Sequence, residues 1–175
     1  MPLLTALAIS IGGLGGIATW AIIGPAGGLG LQIWAVFIAW AAFYHSGGGT
    51  AALTKNIPAH IFGGFVCLVT LIAVVNLAGT LGLPLAAGIC VGIGAATLVV
   101  AANVPALAVI PASVYGFAST AAFALLSPGK LETLTSVSLI NNPWLCVGAS
   151  MIVGALFGYA SEAAGKAMAG SPATA

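Results

Sequence analysis

Pro58–Ala78 reads PAHIFGGFVCLVTLIAVVNLA, and after a short break Leu83–Ala102 reads LPLAAGICVGIGAATLVVAA. Neither stretch holds an Asp, Glu, Lys or Arg. A helix rises about 1.5 Å per residue, so each is long enough to cross a hydrocarbon core of about 30 Å. Outward from this pair the apolar runs recur at 3–23, 30–45, 105–126 and 143–162, each bounded by Pro, Gly clusters or charge. The expected fold is therefore an all-α polytopic bundle of six transmembrane helices in one domain over 1–175, with a short tail at 163–175.

Composition supports this and removes several classes of function. Of 175 residues 61% are hydrophobic and 3% charged, and mean hydropathy is +1.22. A soluble domain carries about a quarter charged residues. Three Lys+Arg against two Asp+Glu leave a net charge of +1, with no basic patch to neutralise phosphates, so no nucleic-acid partner is expected. Cys67, Cys90 and Cys146 lie in apolar runs without a Cys-x-x-Cys pair, so neither a disulfide nor a metal is expected. Ala6-Leu7-Ala8 resembles a leader cleavage pattern, but no Lys or Arg precedes it and the apolar run continues through Ile23. It reads as a retained first span. Lys55 and Lys166 fall on one side and Lys130 on the other, which favours both termini in the cytoplasm. Trp20, Trp34 and Trp144 stand near span ends, as interfacial anchors do.

The two halves, 3–78 and 83–162, carry traces of a repeat. Ile11, Gly16, Ala18 and Thr19 match Ile89, Gly94, Ala96 and Thr97, and Val36-Phe37 matches Val114-Tyr115. A longer fifth connection then sets Pro58 and Gly63 against Pro143 and Gly148. Three helices per half would make the halves inverted, with a solute site expected at mid-membrane beside broken helices. Pro111 marks such a flaw, followed by the hydroxyls Ser113, Tyr115, Ser119 and Thr120.

Small residues at four-residue spacing, Gly12 with Gly16, Gly88 with Gly92 and Gly154 with Gly158, signal close helix packing; the first two pairs are expected within one subunit. Trp34, Phe37, Trp40 and Tyr44 share a face of span two. Such a wall suits a constriction for small uncharged molecules, and equally suits a face toward lipid or a neighbouring subunit. His45-Ser46-Gly47-Gly48-Gly49-Thr50 reads as a helix stop and loop that also permits a hinge. His45, His60, Asn103 and Glu162 fall on the inner side, where Glu162 paired with a histidine would make a gating vestibule; as separate interfacial residues they need no such role. Asn56-Ile57-Pro58-Ala59 and Asn103-Val104-Pro105-Ala106 read as helix caps.

No spaced carboxylate pair, His-x-x-x-His or Gly-x-Ser-x-Gly is present, so no catalytic residue, metal or cofactor is expected. The Trp-Ala-x-Phe-x-Ala-Trp-Ala-x-Phe pattern from Trp34, the glycine run and the Lys-Asn segment leading to Gly63-Gly64 resemble the YcdZ-like bacterial inner-membrane proteins. Pro111, Tyr115, Gly116, Phe117 and the closing Leu156-Phe157-Gly158-Tyr159 with Gly165 are similar to later parts of that family. The resemblance implies a multi-pass protein of the bacterial inner membrane and brings no functional residues with it.

The expected function is a channel or facilitator, homo-oligomeric in the bilayer, for a small neutral or weakly charged solute such as urea, a short amide, ammonia or a short-chain acid. Its lining would come from Trp34, Phe37, Trp40, Tyr44, Ser113, Tyr115, Ser119 and Thr120, with His45, His60, Asn103 and Glu162 at the inner mouth. The alternatives are a non-transporting assembly or regulatory subunit, and a proton-coupled transporter that titrates Glu162 or a histidine.

Overall fold

The computed structural model describes residues 1–170. Six α-helices follow in the order α1 (Leu3–Ile23), α2 (Ile33–His45), α3 (Gly49–Leu81), α4 (Leu83–Ala101), α5 (Ile110–Leu126) and α6 (Pro143–Ala169), with no strand among the described residues. Helices α1, α3, α4 and α6 are long and apolar enough to cross a membrane, and the molecule is a membrane-embedded helical bundle. Helices α2 and α5 have 13 and 17 residues. At 1.5 Å per residue they rise only about 20 and 26 Å. Each is preceded by a 3-10 turn, Gly27–Leu29 and Pro105–Leu107. The 33 residues of α3 rise about 50 Å and overhang any single bilayer core.

The helix that should begin at Pro58 begins instead at Gly49, leaving Pro58 in its interior. Glu162 of α6 accepts the Gly49 N–H at 2.7 Å, satisfying an end group that no local side chain reaches. Gly47, Gly48 and Gly49, at φ +88°, +72° and +69°, make the sharp reversal from α2 that brings this end back to α6. Asn56 is consequently mid-helix, and Asn103 follows α4 and donates to the Val100 carbonyl at 2.8 Å, so neither caps a helix start. The capping chemistry occurs where Asn and Pro are contiguous: Asn142 Oδ1 accepts from Trp144 N at 2.9 Å and Leu145 N at 3.2 Å as Pro143 opens α6. Pro111 is the second residue of α5 and does not break it; the interruption lies upstream, between Leu107 and Ile110.

Helix α3 is central, packed on α4, α5 and α6, while α6 also carries α1 and α2. Bonds from Gln32 N to Ser150 Oγ and from Trp40 Nε1 to Ser161 Oγ, both 2.9 Å, show α2 parallel to α6. Helix α5 runs parallel to α3, since His60 meets Ala112 and Gly64 meets Thr120. Helix α6 is antiparallel to α3, joined by Glu162 to Gly49 at one end and by Trp144 Nε1 to the Ile61 carbonyl, 3.0 Å, toward the other. Trp144 is therefore a packing residue between helices, as is the half-buried Trp34; Trp20 remains 69% exposed, as an interfacial anchor requires.

Both parallel pairs cross where backbones nearly touch. A Cβ on Gly63 would overlap the Ser113 carbonyl, one on Gly116 that of His60, and one on Gly154 that of Val36. Glycine is the one residue that fits such a crossing. Gly158 packs on Phe43, so the Gly154 and Gly158 pair works inside the subunit. The pairs expected to do the same do not: Gly12, Gly16, Gly88 and Gly92 meet nothing within 4 Å, because α1 and α4 turn these faces outward.

Candidate functional site

Among the described residues four buried polar side-chain atoms have no hydrogen-bond partner, and all four lie on α3 or α5: Asn56 Nδ2, His60 Nε2, Ser113 Oγ and Thr120 Oγ1. Their side chains are at most 1% exposed. Hydrogen-bonding capacity without a partner is expensive in an apolar interior, so native proteins keep few such groups.

Ala52, Asn56 and His60 recur every four residues and so form one stripe along α3. Asn56 Oδ1 accepts from Ser46 Oγ at 2.9 Å, leaving the amide NH2 unpaired. His60 Nδ1 lies 2.8 Å from the Ala112 carbonyl. A carbonyl only accepts, so Nδ1 donates, and whenever the ring is neutral Nε2 is a bare acceptor. Ser113 follows Ala112 where α5 crosses Gly63. Further along α5, Thr120 Oγ1 faces Gly64, whose missing side chain gives it room beside Trp144. A seam of unsatisfied donors and an acceptor thus runs between α3 and α5.

Two crevices flank the first half of α5. One, of about 420 Å³, separates it from α2 and is lined by Ile38, Ala41, Ala42, His45 and Tyr115. The other, of about 370 Å³, lies at the end of the bundle among His45, Ser46, Ala51, Ala52, Lys55, Ala108, Val109 and Pro111. His45 borders both. A third, apolar crevice of about 320 Å³ lies between α3 and α4, with Thr70 and Thr97 among its few polar residues.

The residues singled out by sequence separate into these surroundings. Ser113 and Thr120 belong to the seam, Ser119 is buried on α5, and Tyr115 lines the α2–α5 crevice. The aromatic stripe of α2 does not form a lining as a unit. Trp40 Nε1 donates to Ser161 Oγ at 2.9 Å and the Tyr44 hydroxyl meets the same oxygen at 2.8 Å. Phe37 stacks on Trp40 at 5.8 Å, half-exposed, and Trp34 packs on the core of Ala35, Ala39, Met151 and Phe123. Nor do the four inner-side residues form one cluster. Glu162 pairs with Lys166 at 2.6 Å and with Gly49, and with neither histidine; His60 is buried in the seam, while His45 and Asn103 are exposed. Asn56 and Lys55 were missed as site residues. Their signal was visible, since Asn56 and His60 are four apart, but only if the helix extends before Pro58.

No curated protein and no solved structure is matched by the chain. A family model described as "Protein of unknown function (DUF1097)" matches residues 8–166. That span takes in all but the first turn of α1, every crossing described above and the whole seam, and the chain belongs to this family.

Proposed function

We propose that the protein is a membrane facilitator for a small neutral or weakly charged solute, with the path running along α5 between α2 and α3. The observation that carries this reading is the α3–α5 seam: buried polar atoms without a protein partner, in a bundle with little charge, are available to a partner outside the chain. The reading treats all six helices as spans, with α2 and α5 completing theirs through the 3-10 turns before them. It also takes the chain as two inverted halves. Helix α1 packs on α6 as α4 packs on α3, and α2 on α6 as α5 on α3, so the interrupted helices occupy corresponding places. In that scheme Gly63 corresponds to Gly154, each meeting a backbone carbonyl at a crossing, and not to Gly148, since Pro58 lies inside α3 whereas Pro143 begins α6.

The end holding Lys55 and Lys166 is assigned to the cytoplasm of a bacterial inner membrane, and no catalytic role is proposed. Solute-driven swelling of proteoliposomes tests the function. Faster swelling than empty vesicles with at least one of urea, acetamide, ammonia or acetate is expected, and none with any of them overturns the reading.

A second reading, as a non-transporting subunit, draws on the open glycine faces of α1 and α4, which fit another transmembrane helix. The first reading uses the same faces for homo-oligomer contacts. Purification separates the two: a homo-oligomer that swells vesicles fits the first, and a chain ordered only beside another protein fits the second.

A further inference from the structure

Residues 49–57, the part of α3 before Pro58, are attached differently from the rest of that helix. Only Ala52 and Asn56 are buried among them, whereas Ala59, His60, Gly63 and Gly64 are buried in quick succession after Pro58. Pro58 has no N–H, so the helical bond that would tie it to the Thr54 carbonyl is missing, and helices bend at such points. At the other end the chain enters through Gly47, Gly48 and Gly49, all at positive φ, where backbone rotation is least hindered. The segment therefore has a pivot at each end and little apolar burial between them.

Two hydrogen bonds tie it to the rest of the bundle. Glu162 accepts the Gly49 N–H at 2.7 Å, and Ser46 Oγ donates to Asn56 Oδ1 at 2.9 Å. Against them stands Asn56 Nδ2, dry and without an acceptor, a cost of the docked position that contact with water would relieve. The segment also supplies Ala51, Ala52 and Lys55 to the crevice of about 370 Å³, whose other lining is His45 and Ser46 at the end of α2 and Ala108, Val109 and Pro111 at the start of α5. Asn56 does not line this crevice; it lies one turn after Ala52 on the same stripe, with His60 one turn further.

We propose that residues 49–57 form a gate: pivoting at Pro58 and at the glycines, they swing away from α5, widen that crevice and bring the Asn56 amide from its dry position to water. This rests on the reading of the protein as a solute facilitator and places a gate at the inner end of its path, since His45 also borders the α2–α5 crevice. Glu162 is the clasp, a positioning residue that acts through Gly49.

Cysteine labelling of the purified full chain in neutral detergent, with a charged maleimide and no solute, tests this. Cys67→Ala, Cys90→Ala and Cys146→Ala clear the background, and a single cysteine is introduced as Ala52→Cys or Ala59→Cys, positions at most 2% exposed on either side of Pro58. Only chains with a monodisperse peak are compared. Ala52→Cys is expected to react slowly, about tenfold faster when Glu162→Ala is added, the scale of one charge-assisted hydrogen bond. Glu162→Gln, which keeps an acceptor for Gly49, restores a rate near the original, and Asn56→Leu, which removes the unpaired amide, slows it. Ala59→Cys stays unmodified in every background. A rate at Ala52→Cys that Glu162→Ala does not change overturns the gate. Equal labelling of Ala59→Cys overturns it too, because the bundle then loosens as a whole and not at Pro58. Labelling is read without vesicles, so a clasp-dependent rate with impermeable proteoliposomes refutes facilitation and leaves the hinged segment standing.

Discussion

Helix pairs α2/α6 and α3/α5 are built alike and finished differently. Each is parallel, each crosses where a glycine lets backbones approach, and each buries hydroxyls at the crossing. In α2/α6 those hydroxyls are used: Ser161 serves Trp40 and Tyr44, and Ser150 accepts from Gln32 N while donating to the Cys146 carbonyl at 2.8 Å. In α3/α5 Ser113, Thr120, His60 and Asn56 each leave an atom unpaired. Both places bury hydroxyls, and what separates them is whether another part of the chain meets each polar atom.

The largest effect that bears on this contrast is at the crossings themselves. Gly63→Val and Gly154→Val each force two helices apart, and both are expected to lose the folded protein in detergent, measured as loss of the monodisperse peak in size-exclusion chromatography. Gly79→Ala, on α3 away from the open faces of α1 and α4 and with nothing within 4 Å, should leave that peak unchanged. Disruption by Gly154→Val but not Gly63→Val would break the likeness of the pairs.

Next come the hydroxyls, where the pairs should part. Ser161→Ala strands the indole N–H of Trp40 and the Tyr44 hydroxyl, and is expected to destabilise by about 1–2 kcal/mol. Thr120→Val removes an oxygen that bonds nothing, and should be neutral or stabilising. Thermal unfolding in detergent checks both. Equal destabilisation would mean that the seam has protein partners after all.

The smallest effect concerns the start of α3. Glu162→Gln keeps an acceptor for Gly49 but ends the ion pair with Lys166, which is 63% exposed, so a loss under about 1 kcal/mol is expected by the same thermal assay. Glu162→Ala, which also strands the Gly49 N–H, should cost more.

The helices were legible in sequence where local signals decide them. Helix α1 begins and ends where its apolar run does, and α4 lies between Gly82 and the polar turn at Asn103. The start of helix α3 is not legible because Pro58 is a strong local stop, while the end group at Gly49 is met by Glu162, over a hundred residues away in sequence. The site suffers from the same limit. With the helix cut at Pro58, Asn56 reads as a cap, and its place one turn from His60 disappears. The aromatic stripe was correctly placed on one face of α2, but periodicity says only that residues share a face. It carries no information on what covers that face, and here Ser161 of α6 ties down two of the four aromatics. The hydroxyls of α5 stand out because polarity in an apolar run is visible without knowing the neighbours.

The central claim is that the α3–α5 seam serves a solute and not the fold. Solute-driven swelling of proteoliposomes carrying equal amounts of folded wild type, Ser113→Ala with Thr120→Val, and Ser161→Ala measures this most directly. The account predicts that the seam variant unfolds no earlier than wild type yet passes solute several-fold more slowly, while Ser161→Ala unfolds earlier and, where folded, passes solute as wild type does. Unchanged flux in the seam variant, or wild-type vesicles no more permeable than empty ones, would contradict it.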